Sequence, residues 1–260
     1  MRNTEALSFK RIAVTGALGG IGKEVIAELS ALGAQIVAID LLPQAAGEKI
    51  LSELQLKNVQ YMCTDLTSEE ETRKLIAQLE SETFPDALVA VAGVVVSGKL
   101  AEQNTSDIKK VIDVNLTSQI ILSQNFLQKW ITKKINGNIV FVSSWVDHVP
   151  WPGITPYTAS KAGLVALCRG IAREYATQGI RANIISPGIV DVGMAAKQWR
   201  EEDDYRARAQ RAIPLGRLQQ PQEVAGAITF LLSPAAEYMT GSNLLIDGGA
   251  SLYPMDPEEI

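Results

Sequence analysis

The chain has 260 residues, of which 47% are hydrophobic and 20% charged, so it can bury the core of one α/β domain or of two small ones. Its formal net charge of −5 argues against a nucleic acid or an anionic membrane surface as a partner. Residues 1–11 hold no apolar signal core, and the longest apolar run, residues 87–96, is too short to span a bilayer. We therefore expect a soluble, cytoplasmic protein.

The cysteines and the histidine bear on metal binding. Cys63 lies in an apolar run and Cys168 in a predicted helix, and their spacing is not that of a metal site. The pattern predicts two buried, reduced thiols in a cytosolic protein. Because His148 is the single histidine, a zinc cluster is excluded within this chain, and we expect no metal.

A glycine-rich turn follows the first predicted strand. Residues 11–15 are an apolar run with β-branched members, and after the turn apolar residues recur at helical spacing up to Leu32. The turn has the sequence Thr15-Gly16-x-x-x-Gly20-x-Gly22. Glycines at a helix start let the backbone approach a pyrophosphate, whose charge the helix amides and dipole favour. The turn is therefore predicted to bind a nucleotide cofactor.

The second predicted strand, residues 35–40, ends in an acid. Asp40 lies 18 residues past Gly22, where a carboxylate can accept hydrogen bonds from ribose hydroxyls and would repel a 2′-phosphate. Leu41 and Gly19 supply no cation for such a phosphate. The pattern favours NAD over NADP, although Asp40 is also an ordinary turn residue for a strand end.

The third and fourth strands are predicted at residues 59–63 and 87–92. Asp65 follows the third strand, where it could touch an adenine edge or cap the next helix, as could Thr67 or Ser68. The fourth run is continuously apolar, which is typical of a strand buried on both faces. It ends at Gly93, where a ribose could lie close.

A polar residue interrupts the next predicted helix, residues 105–131. Asn115 lies among apolar neighbours, and a buried Asn needs its hydrogen bonds satisfied. It could open the helix locally and hold a water that reaches Lys161, or it could be solvated. The fifth strand, residues 138–143, then delivers Ser144 at its carboxyl end, where ligands bind in open parallel sheets.

Tyr157 and Lys161 fall four residues apart in a predicted helix that starts near residue 155, so they share one face. A neighbouring ammonium favours the phenolate and lowers the pKa of a tyrosine, which could then exchange a proton with an alcohol or carbonyl oxygen. Ser144 would add a hydroxyl that hydrogen-bonds the same oxygen. A surface Tyr and Lys on an amphipathic helix is the ordinary alternative.

The loop between Ser144 and Tyr157 is bulky and partly apolar. It contains Trp145 and Trp151, and Asp147 adds an acceptor. His148 is a candidate for substrate contact more than for catalysis. This mix suits a ring-shaped substrate, either apolar or a sugar stacked on an indole. A sixth strand at residues 180–186 and a last one at 243–247 complete the predicted set.

The motif set, taken together, resembles that of a known family over about residues 8–250. The positions that carry the resemblance are Thr15-Gly16-x-x-x-Gly20-x-Gly22, Asp40, Asp65, Asn115, Ser144, Tyr157, Lys161 and Ser186-Pro187-Gly188. Their order and spacing are similar to those of the short-chain dehydrogenase/reductase family. The resemblance implies a single α/β domain over residues 1–260: a Rossmann-type, doubly wound, parallel seven-stranded sheet in the order 3-2-1-4-5-6-7, with helices on both faces.

The same resemblance implies NAD-dependent hydride transfer between nicotinamide C4 and a secondary alcohol, ketone or sugar hydroxyl. Tyr157 would be the general acid/base, Ser144 would polarise the substrate oxygen, Lys161 would lower the Tyr157 pKa and bind the nicotinamide ribose, and Asn115 would complete a proton relay. A lid at about residues 192–217 and a homotetramer are also implied. The implied cofactor contacts are Gly16, Leu18, Gly20, Ile21, Gly22, Asp40, Asp65, Leu66, Ala92, Gly93, Tyr157, Lys161, Pro187, Gly188 and Val190.

Two positions depart from the family pattern, and two other functions compete. Val91 stands where the family often has Asn, so the fourth strand is expected to be held differently. Val192 stands where a Thr often contacts the nicotinamide amide, and backbone groups at Ile189 or Val190 could substitute. The competing functions are a non-catalytic dinucleotide-binding protein and a sugar-nucleotide epimerase or dehydratase, whose Thr-Gly-x-x-Gly-x-x-Gly motif the chain does not match.

Overall fold

Seven parallel strands form one sheet in the computed structural model, which describes residues 7–56 and 58–252. The order β3-β2-β1-β4-β5-β6-β7 and the α/β class confirm the prediction. The strands are β1 (Arg11–Thr15), β2 (Gln35–Asp40), β3 (Val59–Cys63), β4 (Ala87–Ala90), β5 (Asn138–Val142), β6 (Arg181–Pro187) and β7 (Asn243–Ile246). Residues 1–6, which belong to the segment predicted to lack a signal core, lie outside the described residues, as do residues 57 and 253–260 of the predicted 1–260 domain.

Helices cover both faces of the sheet. They are α1 (Gly20–Ala31), α2 (Gln44–Glu53), α3 (Glu69–Glu80), α4 (Thr105–Ile112), α5 (Ser118–Lys133), α6 (Thr155–Tyr175), α7 (Gly193–Glu201), α8 (Asp203–Ala212) and α9 (Pro221–Leu232). Successive side chains of a strand point to opposite faces, so Ile12 packs with α1, α2 and α9, whereas Ala13 packs with α3, α5 and α6. Both faces of the inner strands are covered, and β4, with the sequence ALVA, is apolar and buried at every position.

The structure shifts some predicted boundaries. β4 ends at Ala90 and not at residue 92, because its pairing with β1 stops at Thr15. The predicted helix 105–131 consists of α4 and α5 with a π-helical turn, Asp113–Thr117, between them. The predicted lid region contains α7 and α8.

The two cysteines differ in their surroundings. Both are free, but Cys63 is exposed, so its predicted burial is wrong. The reason is its place at the end of β3, the edge strand of the sheet. Cys168 is buried on α6, and burial raises the pKa of its thiol to about 12. Within residues 7–56 and 58–252, no helix combines the length and apolar character needed to cross a bilayer.

Candidate active site

A cleft of about 530 Å³ opens where the carboxyl ends of β1 and β4 meet. In this strand order that point is the topological switch, where α/β sheets bind ligands. Gly16 has φ +62°, and a Cβ there would lie 2.7 Å from the Cα of Ala92, so the two loops pack backbone to backbone. The predicted cofactor residues that line the cleft are Gly16, Leu18, Gly20, Ile21, Gly22, Asp40, Asp65, Leu66, Ala92 and Gly93.

The first turn of α1 forms one wall of this cleft. Gly19 is its N-cap residue and provides no side-chain hydrogen bond, so no side chain caps the first amides of the helix. Such amides are free donors at the positive end of the helix dipole and suit an anionic group. Gly20 must be glycine for a different reason. The chain that follows β6 approaches so closely that a Cβ at Gly20 would lie 2.6 Å from the Cβ of Val192.

Asp40 lies at the rim of the cleft with acceptor capacity to spare. Its Oδ2 accepts a hydrogen bond from the amide of Leu18 at 2.9 Å, and its Oδ1 accepts one from the amide of Leu41 at 2.8 Å. An ionised carboxylate offers about four acceptor positions, so about two remain for a ligand. Asp40 and Asp65 are the charged side chains among the described residues that line the cleft.

The structure also separates the roles that the sequence left open for Asp65. The N-cap of α3 is Ser68, whose side chain accepts from the amide of Glu71 at 3.3 Å. Asp65 Oδ1 accepts instead from the amide and the hydroxyl of Thr67, at 2.9 and 2.7 Å. Asp65 therefore stabilises the turn before the helix and still faces the cleft.

Asn115 lies at the centre of the π-helical turn and is fully buried. Its Oδ1 accepts from the amide of Val94 at 2.8 Å, and its Nδ2 donates to the carbonyl of Val94 at 2.8 Å and to Oγ of Ser160 at 3.1 Å. The predicted local opening of the helix is confirmed, and the solvated alternative is wrong. The side chain fixes the loop after β4 against α6.

Ser144, Tyr157 and Lys161 converge beside the cleft. Ser144 follows β5 and is buried, and its side chain lies close enough to Tyr157 on α6 to favour the phenolate and so lower the pKa of Tyr157. Lys161 Nζ lies 5.5 Å from the centre of the Tyr157 ring and donates to the carbonyl of Val142 at 2.9 Å. A Cβ at Gly93, in the cleft wall, would lie 3.3 Å from this Nζ, so the ammonium reaches the cofactor cleft.

The pKa values of this group differ from the expectation. Burial, followed by the charge of Asp147, raises the pKa of Tyr157 to about 12, and the hydrogen bond from Ser144 opposes that rise. Contrary to the expectation, Lys161 therefore does not lower the pKa of Tyr157 in this structure. The reason is that burial also acts on Lys161, whose pKa falls to about 8 although the charge of Asp147 raises it.

Five predicted cofactor contacts lie outside the set of described residues that line the cleft: Tyr157 and Lys161, which lie beside it, and Pro187, Gly188 and Val190. Pro187 pairs with Ile246 at the end of β6. Gly188 donates its amide to the carbonyl of Ile246 and to Oε1 of Gln219, and Val190 forms a β-bridge with Gln219. These contacts hold the chain that carries Val192 over the cleft.

The two departures from the family pattern have structural consequences. Val91 packs against the core, and the amide of Ala92 instead donates to Oγ1 of Thr15 at 3.3 Å. Thr15 and Asn115 thus hold the end of the fourth strand. They replace the side-chain hydrogen bonds that Val91 cannot make. Val192 presents its side chain to Gly20 inside the cleft.

The loop that follows Ser144 is folded onto the site. Trp145 is buried and packs edge-on against Trp151, with ring centres 5.6 Å apart. Tyr157 belongs to the same apolar cluster, with Ile154, Ile189 and Trp199 among its members. The side chain of Asp147 is buried and bonded to Ser143 and Ser186, so it is not the free loop acceptor that the sequence suggested.

Sequence reasoning missed several residues of the cleft wall. They are Leu42, Thr64, Thr67, Val94, Val114 and Ser118. Thr64 directly follows β3, so its position at a strand end was a usable signal. Val114 and Ser118 belong to the π-helical region, whose altered phase turns them towards the cleft, and no periodicity in the sequence shows that.

The comparisons with known proteins agree with this geometry. A family model described as enoyl-(acyl carrier protein) reductase matches residues 16–251, and oxidoreductase UcpA of Escherichia coli O157:H7 is 35% identical over 253 residues, 95% of this chain and 96% of the relative. The chain belongs to the short-chain dehydrogenase/reductase family and is an oxidoreductase. It is also 37% identical to 3beta-hydroxysteroid dehydrogenase 1 of Eggerthella lenta over 169 residues, which span 65% of this chain and 64% of that relative.

Similar solved structures carry nicotinamide cofactors. The 4-hydroxyisoleucine dehydrogenase complexed with NADH has a TM-score of 0.87 and 29% identity, covering 94% of this chain and 99% of its own. A structure from Agrobacterium tumefaciens with bound NADP has a TM-score of 0.84 and 27% identity, covering 97% and 100%. A nicotinamide dinucleotide is thus the cofactor class of the family, with both forms among these neighbours.

Proposed function

We propose that this protein is an NAD-dependent oxidoreductase that transfers a hydride between nicotinamide C4 and a secondary alcohol/ketone pair or a sugar hydroxyl. One observation carries the proposal: the neighbouring Ser144 and Tyr157 and the buried Lys161 meet beside a glycine-lined cleft at the topological switch point. The groups that can exchange a proton therefore lie next to the cleft that can bind a dinucleotide.

The donors and acceptors of the cleft fit NAD. The uncapped amides of Gly20, Ile21 and Gly22 would hold the pyrophosphate. The spare acceptor positions of Asp40 suit two ribose hydroxyls, whereas its negative charge, without a lining cation among the described residues, disfavours a 2′-phosphate. NAD supplies the hydride acceptor, which the side chains of this chain cannot provide.

The proton is assigned to Tyr157. With a pKa of about 12 the phenol is protonated at neutral pH, so it is ready to donate to a carbonyl oxygen in the direction of reduction. In the direction of oxidation it must first lose its proton, and that step is favoured as pH rises. Ser144, which lies next to Tyr157, would orient the same substrate oxygen. Asn115 holds the loop that forms the floor of the site.

The surroundings of Tyr157 favour an apolar, ring-shaped substrate. Trp151, Ile154, Ile189 and Trp199 pack in one cluster with the Tyr157 ring, and burial of a large apolar face against them is favourable. The similarity to a hydroxysteroid dehydrogenase agrees with this choice. We assign the lid role to residues 192–217, since Trp199 of α7 is a member of the cluster.

We also propose a homotetramer that works in the cytoplasm. Ile120 and Ile131 of α5 are each 44% exposed, so this helix offers apolar surface to a second copy. Light scattering that gives the mass of a monomer would contradict the assembly, and fractionation of the host cell tests the location.

The proposal is tested by Tyr157→Phe. NADH formation is first measured with NAD and a panel of hydroxysteroids, other cyclic secondary alcohols and sugars. With a substrate identified, Tyr157→Phe should reduce kcat by about a hundredfold or more, the size of a general acid/base contribution, while calorimetry shows that the variant still binds NAD. Tyr175→Phe, at the far end of the same helix, is the matched control. Full turnover in Tyr157→Phe would contradict the proposal and favour another proton donor.

A further inference from the structure

A buried carboxylate lies next to the Ser144–Tyr157 pair and has no part in the proton transfer proposed above. Asp147 ends the 3-10 turn Trp145–Asp147, and its amide donates to the carbonyl of Ser144 at 3.0 Å. Its side chain is 1% exposed. A charge so deeply buried is costly unless partners compensate it.

One of its oxygens is well satisfied. Oδ2 of Asp147 accepts from Oγ of Ser143 at 2.6 Å and from Oγ of Ser186 at 2.7 Å, and Nδ2 of Asn243 lies 3.5 Å away. Ser143 directly follows β5, Ser186 belongs to β6 and Asn243 begins β7. The carboxylate therefore links three neighbouring strands, and hydrogen bonds to a charged acceptor are the stronger ones.

The second oxygen faces a histidine. Oδ1 of Asp147 accepts no hydrogen bond from the described residues, although Nε2 of His148 is 3.3 Å away. The same Nε2 lies 3.2 Å from Nδ2 of Asn243. Asp147 thus keeps an uncompensated part of its charge inside the site.

That charge acts on the two titrating groups of α6. The hydroxyl of Ser143 that binds the carboxylate also lies 3.2 Å from the carbonyl of Lys161, and the carbonyl of the preceding residue, Val142, accepts from Lys161 Nζ, so the carboxylate and the ammonium approach the same two residues. The charge of Asp147 raises the pKa of Tyr157 and that of Lys161, in each case after the larger effect of burial. The other groups that face Lys161 are the carbonyl of Val142, the neutral Gly93 and Asn115, and the phenol of Tyr157. A carboxylate is therefore the group whose charge offsets the burial of this ammonium.

We propose that Asp147 is a positioning residue that keeps Lys161 protonated inside the site while its hydrogen bonds hold the strands that carry Ser144 and Ser186. The inference rests on the proposed function, because it explains how the ammonium assigned to cofactor binding stays charged after burial. The 3-10 turn Trp145–Asp147 thereby has a role in the site that none of the motif residues performs.

The direct test is the titration of Lys161 in Asp147→Asn. The amide is isosteric: its oxygen can accept from Ser143 and Ser186, and its NH₂ can donate to His148, so we expect a folded variant. Protein labelled with ¹³C at the lysine Cε is titrated by NMR, and the Lys161 signal is assigned from its loss in Lys161→Arg. The midpoint, about pH 8 in the unaltered protein, should fall by about half a unit to one unit.

Two further variants make the result specific. His148→Gln removes the ring that contacts the same carboxylate but leaves the carboxylate itself in place, so the Lys161 midpoint should not move. Ser143→Ala removes one donor but keeps the charge, so the midpoint should rise; this variant also decides the matter if Asp147→Asn does not fold. An unchanged Lys161 midpoint in folded Asp147→Asn or in Ser143→Ala, or equal shifts in Asp147→Asn and His148→Gln, would overturn the inference.

The NMR titration needs neither substrate nor turnover. If no oxidoreductase activity is found but Asp147→Asn lowers the Lys161 midpoint, the inference stands and the proposed function fails. Where a substrate is known, the pH profile of kcat/KM gives a second readout: the rising limb for oxidation should move to lower pH in Asp147→Asn, because the charge that disfavours the Tyr157 phenolate is gone. A loss of activity at all pH values with an unmoved limb would count against the inference.

Discussion

Lys161→Met should change how the stability of this protein depends on pH. The ammonium of Lys161 is 3% exposed, and burial lowers its pKa from 10.5 to about 8. Because the folded-state pKa lies below the ordinary value, the unfolded chain binds the extra proton between about pH 8 and 10.5. The wild-type protein therefore gains stability as pH rises through that window, and the variant lacks this gain.

The magnitude follows from the shift of the Lys161 pKa. About 2.5 pKa units at 1.36 kcal/mol each correspond to about 3 kcal/mol, so protonated Lys161 reduces the free energy of unfolding by roughly that amount at pH 7. The substitution also leaves the carbonyl of Val142 without this donor, at a cost of about 1–3 kcal/mol that does not depend on pH. The difference in stability between variant and wild type should hence move by about 3 kcal/mol between pH 7 and 10.5.

Urea unfolding of both proteins at equal concentration, at several pH values, measures this difference. Lys110→Met removes an exposed lysine of α4 and shows what the loss of a surface charge contributes. We expect the free energy of unfolding of Lys161→Met, relative to that of the wild type, to be higher at pH 7 than at pH 10.5. A stability difference that stays constant within about 0.5 kcal/mol over this range would refute the reasoning, since burial could then not be what lowers the pKa.

Three further outcomes are expected. Asp40→Ala should weaken NAD binding by about ten- to a hundredfold, the loss of one or two charge-assisted hydrogen bonds, and NADP binding by less; calorimetry with both cofactors measures this, and equal losses for the two would contradict the assigned preference. Gly20→Ala should lower stability by about 1–3 kcal/mol because the new Cβ would lie 2.6 Å from that of Val192; Val192→Gly, which removes that Cβ, should restore much of it in a double-mutant cycle, and strict additivity would exclude the contact as the cause. Oxidation should speed up from pH 6 to 8, because the pKa of Tyr157 is raised to about 12 and its phenolate becomes more abundant with pH; a rate of oxidation independent of pH over that range would argue against Tyr157 as the base.

Local pattern was enough to predict most of the fold. The strand at residues 11–15, the glycine turn and the helix after it follow from an apolar run, from glycine spacing and from helical periodicity, and the structure has β1 and α1 there. The strand order required the family resemblance, because period and composition do not say which strands are neighbours in a parallel sheet.

The ends of the elements were less predictable. β4 stops at Ala90 because its partner β1 stops, and a stretch of apolar residues gives no sign of this. Cys63 is exposed because β3 is the edge strand, which is a property of the whole sheet. Both are decided by what lies beside the strand and not by the residues within it.

The sequence by itself determined which side chains meet at the candidate site. Strand ends of a parallel sheet converge at one edge, so Ser144 and the glycine turn had to lie near each other, and the helical repeat placed Tyr157 beside Lys161. What only the tertiary structure decided is the state of these groups. Burial raises the pKa of Tyr157 and lowers that of Lys161. The carboxylate of Asp147 turns inward, and its negative charge raises the pKa of both groups. A pKa depends on how much water and which charges surround a group, and those are set by the packing of distant segments.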